Sequence, residues 1–376
     1  MKKNLLIIAL ISLACCNMVT AQWTNKTMSF GGLTRSYRVY KSANYNAANP
    51  ASLLISLHGL GDNMNNFSGI GFNHIADTAN IICIFPQAVT DALLQESAWN
   101  SGAGEFGYCP NSTVNDIGFI NAIIDTAQAN YSIDRTRVYL CGFSMGGFMT
   151  ERMALQSNYK IAAFGSMSGT FGNGLTTHNP GRRVPVAHFH GTHDSTVYYI
   201  GDLYGLDPDS MIHFWIANNT CGLTPVTYNY PNTVPGDSIT VERFEYSNGN
   251  PESDVWFFKM FGASHEVLFT PTNDISECVE LWLFFRRHSF ASAGIPEQTS
   301  LSELIQVYPN PASNNITIEA PQKSIIDILN IQGQLVKSLV AAGDYTTLNI
   351  SSFSSGVYLM QVKTENGIVI KKFMKE

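Results

Sequence analysis

Three residue types in a fixed chain order equip this sequence for chemistry: Ser144, then Asp194, then His265. A serine hydroxyl is a weak nucleophile until a histidine takes its proton, and a carboxylate must fix that histidine's tautomer. Ser144 lies in Cys141-Gly142-Phe143-Ser144-Met145-Gly146-Gly147, a G-x-S-x-G. Upstream, Arg137 to Cys141 has the β-branched and apolar character of a buried strand; downstream, Phe148 to Gln156 is rich in helix formers. The motif between a strand and a helix predicts a sharp turn that holds Ser144 strained, with its hydroxyl exposed. Gly142 and Gly146 leave room for that turn, and the helix N-terminus aims free N–H groups at any anion beside Ser144. The bland alternative, a structural Gly-rich turn, fits the strand–turn–helix setting less well.

The acid is expected just beyond a later strand. Val184 to His190 reads as that strand and Gly191 to Ser195 as its turn, which selects Asp194 over Asp202, Asp207 and Asp209. A turn aspartate that caps local N–H groups is the ordinary alternative. The base is expected in a loop after the next strand, Val255 to Met260, where Phe261 to Glu266 carries His265 ahead of a predicted helix, Ile275 to Arg287. His288, in Arg286-Arg287-His288, reads as a solvated helix end. A strand at Leu53 to Leu57 runs into His58-Gly59-Leu60-Gly61-Asp62. Glycine there allows backbone to approach a substrate carbonyl, so the N–H groups of Met145 and Leu60 are the expected oxyanion donors. His58 precedes the serine in the chain and is expected to support its loop.

A rival reading is a metal cluster at His188-x-His190-x-x-His193-Asp194. Imidazoles suit zinc, and residues 188 and 190 share one face of a strand. Such a site would leave the serine motif, the His58 loop and His265 unexplained, so neither a metal nor a cofactor is expected.

The elements that must position these residues follow from the texture of the chain. Strand-like and helix-like segments alternate through residues 22–290, including a helix candidate at Ile117 to Ala129 with Asp116 as its expected N-cap. This predicts an α/β class domain, an α/β-hydrolase fold with a mostly parallel sheet. Residues 291–304 are polar and aperiodic and read as a linker. Residues 305–376 change to seven short alternating strands, which predicts a small all-β sandwich.

Lys2 and Lys3, the apolar run Leu5 to Ala14 and Val19-Thr20-Ala21 read as a secretory signal peptide, 1–21. Cys15 and Cys16 raise a lipoprotein alternative without a clean lipobox, and no other apolar stretch is long enough to span a membrane. Five cysteines remain, Cys83, Cys109, Cys141, Cys221 and Cys278. Cys83 and Cys141 read as buried thiols, while Cys221 with Cys278, or either with Cys109, could pair. The formal charge is -7 with 14% charged residues and no basic run, which argues against a nucleic-acid partner.

Tyr308-Pro309-Asn310-Pro311-Ala312, Ile331-Gln332-Gly333-Gln334, Gly356-Val357-Tyr358-Leu359 and Lys371-Lys372-Phe373 closely resemble the C-terminal sorting domain of the type IX secretion system. That resemblance covers residues 305–376 and implies the type IX machinery as a partner and a secreted or cell-surface location. A carbohydrate-binding or adhesive sandwich is the alternative; this segment has no Trp, and Tyr308 and Tyr358 fall in the sorting motifs.

The first domain also has a likeness. Leu57-His58-Gly59, Trp99-Asn100, Asn115-Asp116-Ile117-Gly118-Phe119-Ile120, the Ser144 motif and His190-Gly191 with Asp194 and Tyr198 resemble the polyhydroxybutyrate depolymerase and feruloyl esterase group of α/β-hydrolases. The likeness spans roughly residues 30–290 and implies Ser144 as nucleophile, Asp194 as acid and His265 as base. Departures occur at Asn115-Asp116, where paired acids are usual, and at Ala263-Ser264-His265-Glu266, where the group often carries Gly-Gly-His and Trp-Pro.

The expected activity is therefore a secreted serine carboxylic-ester hydrolase acting on an ester-bearing polysaccharide, feruloyl or acetyl, with a polyester as the alternative substrate. Trp99, Tyr198 and Tyr199 are candidates to line the acyl pocket. A non-catalytic binding scaffold and a peptidase are the other classes weighed.

Overall fold

The computed structural model describes residues 21–104, 108–156, 161–175, 180–290, 305–330, 334–341, 343, 345–364 and 367–376. The expected signal peptide, except Ala21, and the linker 291–304 lie outside the described residues. Two compact units divide after Phe290.

In chain order the first unit comprises β1 (Gln22–Phe30), β2 (Leu33–Lys41), β3 (Ala51–Leu57), α1 (Met64–Phe67), α2 (Phe72–Thr78), β4 (Ile81–Pro86), β5 (Val89–Thr90) and β6 (Ser97–Ala98). Next come α3 (Asp116–Asn130), β7 (Ile133–Phe143), α4 (Met145–Gln156), β8 (Ala163–Met167), β9 (Val186–Gly191), α5 (Pro208–Asn219), β10 (Val226–Asn229), β11 (Thr240–Tyr246), β12 (Val255–Phe261) and α6 (Glu277–Phe285). Ten strands form one sheet in the order β1-β2-β4-β3-β7-β8-β9-β12-β11-β10. The central run from β4 to β12 is parallel; β1 and β2 at one edge and β11 and β10 at the other are antiparallel.

The central strands read as near-continuous apolar runs because helices cover both faces. β3 is buried at every position. Its alternate side chains enter different cores: Leu53, Ile55 and Leu57 pack with Phe119 and Ile123 of α3, Met149 and Met153 of α4 and Trp215 of α5. Leu54 packs on the other side with Phe72 of α2 and Leu281 and Phe285 of α6. Parallel strands share one direction, so β3, β7, β9 and β12 all deliver their C-terminal loops to the same end of the sheet, where α/β proteins bind ligands.

Helix starts follow local chemistry. Asp207 caps α5 by accepting from the Ser210 N–H, with Pro208 behind it. For α3 the cap is Asn115, which accepts from the Gly118 N–H, and not Asp116 as expected. Asp116 is drawn inward instead by a buried ion pair with Arg35 at 2.7 Å.

The second unit has β13 (Gln306–Tyr308), β14 (Asn315–Glu319), β15 (Ile325–Leu329), β16 (Leu335–Val340), β17 (Tyr345–Asn349), β18 (Gly356–Thr364) and β19 (Gly367–Lys375). They form antiparallel sheets in the orders β13-β14-β17 and β16-β15-β18-β19, which share a core of Ile316, Ile318, Ile326, Ile328, Met360 and Phe373. Seven strands are present, the number that the alternation in residues 305–376 predicts.

None of the possible cysteine pairs is formed; all five cysteines among the described residues are free thiols. The Cys278 and Cys221 sulfurs are occupied instead by the carbonyls of Ile70 and Ser253. His288 is also not solvated: it is 3% exposed and its ring packs 4.4 Å from that of Phe284. The two preceding arginines hid a histidine that turns into the core.

Candidate active site

Ser144 occupies the turn between β7 and α4 with φ +54, a left-handed conformation uncommon for serine. Its N–H donates to the Met167 carbonyl at 2.8 Å, and its carbonyl receives the Phe148 N–H at 3.0 Å, the first bond of the helix. Two glycines make the turn possible by close approach. A Cβ on Gly142 would lie 2.3 Å from the Gly146 carbonyl oxygen, and one on Gly146 would collide with the carbonyls of Leu57 and His58.

Asp194 follows β9 and His265 follows β12, and parallel pairing of these strands brings their loops together. The Thr192 N–H donates to the Met260 carbonyl, the His193 N–H to the Ala263 carbonyl, and the Gly262 N–H to Thr192 Oγ1. The three predicted side chains then stand in one line. His265 Nδ1 is 2.7 Å from Asp194 Oδ2, and His265 Nε2 is 2.9 Å from Ser144 Oγ. Asp194 is fully enclosed, while His265 is partly open. Burial pushes the Asp194 carboxyl up, but the His265 hydrogen bond and charge and the N–H groups of Val197 and Thr196 outweigh it and hold it below its usual value. With an ionised Asp194 on Nδ1, the His265 Nε2 lone pair faces the serine hydroxyl and can take its proton.

Met145 opens α4, so its N–H belongs to the first turn, whose donors have no intrahelical acceptor. The other expected donor loop abuts the serine: a Cβ on Gly59 would lie 3.3 Å from Ser144 Cβ. Leu60 next to it is exposed. His58 is buried and braces this loop, its Nδ1 2.7 Å from the Gly59 carbonyl and its Nε2 accepting the Ala88 N–H at 3.1 Å.

The aromatic candidates separate. Trp99 is fully buried in the core, and its indole N–H donates to the His58 carbonyl at 2.8 Å. It therefore supports the loop from beneath and does not offer a surface to an acyl group, a correction to the expectation. Tyr198 is half exposed, whereas the Tyr199 hydroxyl donates to Asp209 and its ring packs nearly perpendicular to that of His190. The sequence did not single out Phe143 for a role, although it stands inside the serine motif; its ring lies 4.9 Å from that of His265.

The three histidines of the rival cluster divide into one exposed and two buried side chains. His193 is exposed, while His188 and His190 are buried with their ring nitrogens engaged by Ser166, by each other and by the Val197 carbonyl. Among the described residues no group of three or more His, Cys, Asp or Glu side chains is arranged to hold a metal ion.

Residues 42–201 match the Phospholipase/Carboxylesterase family, and residues 306–376 match the Secretion system C-terminal sorting domain. A bifunctional acetylxylan esterase/xylanase, XynS20E, of Neocallimastix patriciarum is 33% identical over 169 residues, covering 45% of this chain and 22% of that protein. Feruloyl esterase D of Neurospora crassa is 27% identical over 185 residues, covering 46% of this chain and 57% of that one. Poly(3-hydroxyalkanoate) depolymerase C of Paucimonas lemoignei is 28% identical over 157 residues, with coverages of 41% and 36%. The chain thus spans less than two thirds of the length of each of these relatives. The acetyl xylan esterase from Aspergillus awamori superposes with a TM-score of 0.51 at 13% identity over 70% of this chain and 99% of that one, a likeness of fold. No helix among the described residues is long and apolar enough to cross a membrane. The first domain accordingly has an α/β-hydrolase fold and is similar to carboxylesterases, including feruloyl esterases and a polyhydroxyalkanoate depolymerase, and it is followed by a segment that matches a secretion-system C-terminal sorting domain.

Proposed function

We propose that this protein is an exported serine carboxylic-ester hydrolase. The observation that carries the reading is the continuous line from Asp194 Oδ2 through His265 to Ser144 Oγ, with the serine held at φ +54. Ser144 Oγ attacks the ester carbonyl carbon as His265 Nε2 takes its proton. The oxyanion is met by the N–H groups of Met145 and Leu60, which act most strongly where water is excluded. Collapse expels the alcohol, protonated by His265, and leaves an acyl group on Ser144. Water, deprotonated by His265, then attacks the acyl carbon and frees the acid.

The substrate class rests on kinship and address. Relatives named for acetylxylan and feruloyl esterase activity support a feruloyl or acetyl ester on plant polysaccharide. A sorting domain fits a substrate too large to import, with the type IX machinery as export partner. The relative named as a poly(3-hydroxyalkanoate) depolymerase favours a polyester as the second reading.

Hydrolysis of para-nitrophenyl acetate by the full chain and by Ser144→Ala, each with and without EDTA, tests the mechanism. Activity lost in the variant and untouched by EDTA is expected. Activity that survives Ser144→Ala and disappears with EDTA would overturn it, and an inactive, folded wild type would point to a binding scaffold. Methyl ferulate, acetylated xylan and polyhydroxybutyrate then separate the substrates.

A further inference from the structure

Behind Asp194 runs a line of buried polar side chains that the ester chemistry above does not use. Glu151 of α4 is 1% exposed, and Ser166 of β8 and His188 and His190 of β9 are fully enclosed. Ser166 Oγ lies 2.5 Å from Glu151 Oε1 and 2.7 Å from His188 Nδ1. His188 Nε2 lies 3.2 Å from His190 Nδ1, and His190 Nε2 lies 2.9 Å from the Val197 carbonyl oxygen and 3.7 Å from Asp194 Oδ2. At the far end the Trp215 indole N–H donates to Glu151 Oε2 at 2.9 Å.

The protons on this line can be placed one at a time. Burial pushes both imidazoles down, so each is neutral, with one N–H and one lone pair. The Val197 carbonyl can only accept, so His190 carries its proton on Nε2. His190 Nδ1 is then an acceptor, and His188 Nε2 must donate to it. That leaves His188 Nδ1 as an acceptor, and the neighbour with a proton to give is the Ser166 hydroxyl. A hydroxyl has one proton, so it cannot also donate to Glu151. Glu151 Oε1 must itself carry a proton and donate to Ser166, while Oε2 receives Trp215. An ionised Glu151 would claim the serine proton and reverse every bond, leaving the His190 lone pair against the Val197 carbonyl and the Asp194 carboxylate.

We propose that Glu151 is a buried, protonated acid and that Glu151, Ser166, His188 and His190 are positioning residues that lock His190 as an Nε2–H donor to the Asp194 turn. Val197 is the point of purchase: its carbonyl is held by His190, and its N–H donates to Asp194 Oδ1 at 2.8 Å beside that of Thr196 at 2.9 Å. Fixing Val197 therefore fixes the carboxylate that orients His265, so this role rests on the esterase reading above. Burial independently pushes the Glu151 carboxyl up to about 7, in the same direction as the proton placement. Asp194, Asp202 and His265 act at the His190 end of the line, where the Tyr199 ring also packs.

The test is imidazole 15N and glutamate carboxyl 13C NMR of the full chain, with para-nitrophenyl acetate kinetics of two variants. Both rings are expected as neutral Nε2–H tautomers, with Glu151 in its protonated form. Glu151→Gln, whose amide N–H can replace the carboxyl O–H, is expected to keep those tautomers and most of kcat. His190→Phe, which fills the volume without a donor, is expected to lower kcat by about 10-fold with KM unchanged. An Nδ1–H tautomer at His190, an ionised Glu151, or an undiminished kcat in His190→Phe would overturn the proposal. The wild-type spectra decide the proton line even where His190→Phe does not fold, and also where the wild type hydrolyses no ester.

Discussion

Gly146 passes so close to Leu57 that a Cβ at position 146 would sit 2.1 Å from the Leu57 carbonyl oxygen. The first turn of α4 therefore rests directly on the end of β3, and only a residue without a side chain fits between them. The obstacle is backbone on both sides, so neither partner can swing away. Gly146→Ala is expected to lower stability by about 1–3 kcal/mol or more and to displace Ser144. Urea unfolding together with esterase assay checks this, and an unchanged midpoint and rate would refute the close approach.

Asp194→Asn is expected to abolish activity without unfolding the protein. The N–H groups of Thr196 and Val197 both donate to Asp194 Oδ1, so an asparagine must place its carbonyl there. Its NH2 then faces His265 Nδ1, forcing that nitrogen to accept and moving the ring proton to Nε2, against the Ser144 hydroxyl. A fall in kcat of about 10⁴ is expected, because the tautomer is wrong while the geometry persists. Kinetics beside a thermal melt test it; near-normal kcat in a folded variant would contradict the tautomer argument.

Arg35 and Asp116 are expected to matter more apart than together. Arg35 Nη2 lies 2.7 Å from Asp116 Oδ1, its guanidinium sits 3.8 Å over the Phe119 ring, and Asp116 Oδ2 accepts the Asn100 N–H. Arg35→Met strands a buried carboxylate and should cost about 3–5 kcal/mol, whereas Arg35→Met with Asp116→Leu should recover much of it. Chemical denaturation of both variants makes the comparison, and equal losses would show that charge stranding is not the cause.

Glu277 predicts a fall in stability toward alkaline pH. Burial pushes its carboxyl from the ordinary 4.5 up to about 8, and Oε2 has no hydrogen-bond partner among the described residues. Between those values the unfolded chain is ionised while the folded one keeps its proton. The contribution is thus fully present below the unfolded value and lost as pH rises through the folded one. Glu277→Gln, neutral throughout, should flatten this slope, with a larger gain over wild type at pH 8 than at pH 4. Urea melts at the two ends of that range measure it; parallel slopes for the two proteins would exclude Glu277 as the source.

Where local rules and tertiary packing agree, the sequence was legible. Runs such as Leu53 to Leu57 and Val255 to Met260 appear as buried strands, and the chain order of Ser144, Asp194 and His265 locates side chains that the parallel sheet brings into contact. What the sequence concealed depended on partners distant in the chain. Asp116 looked like a cap until Arg35, far upstream, drew it inward and left the cap to Asn115. Trp99 looked like a pocket wall because a sequence cannot say which loop covers an indole. Glu151 lies among helix formers and Ser166 in a short apolar strand, so each alone reads as incidental. Their meaning arises only when β8 and β9 run side by side and pair residue 166 with residue 188.

The left-handed backbone at Ser144 has an evolutionary consequence. A glycine adopts that conformation without steric cost, so Ser144→Gly should melt above the wild type, by a free energy of about 1 kcal/mol. With Ser144 as the proposed nucleophile, selection for thermal robustness alone would drift toward the silent glycine, and selection for turnover would oppose it. The serine is thus a standing debt in the fold, which a lineage that no longer needed the reaction would be free to shed.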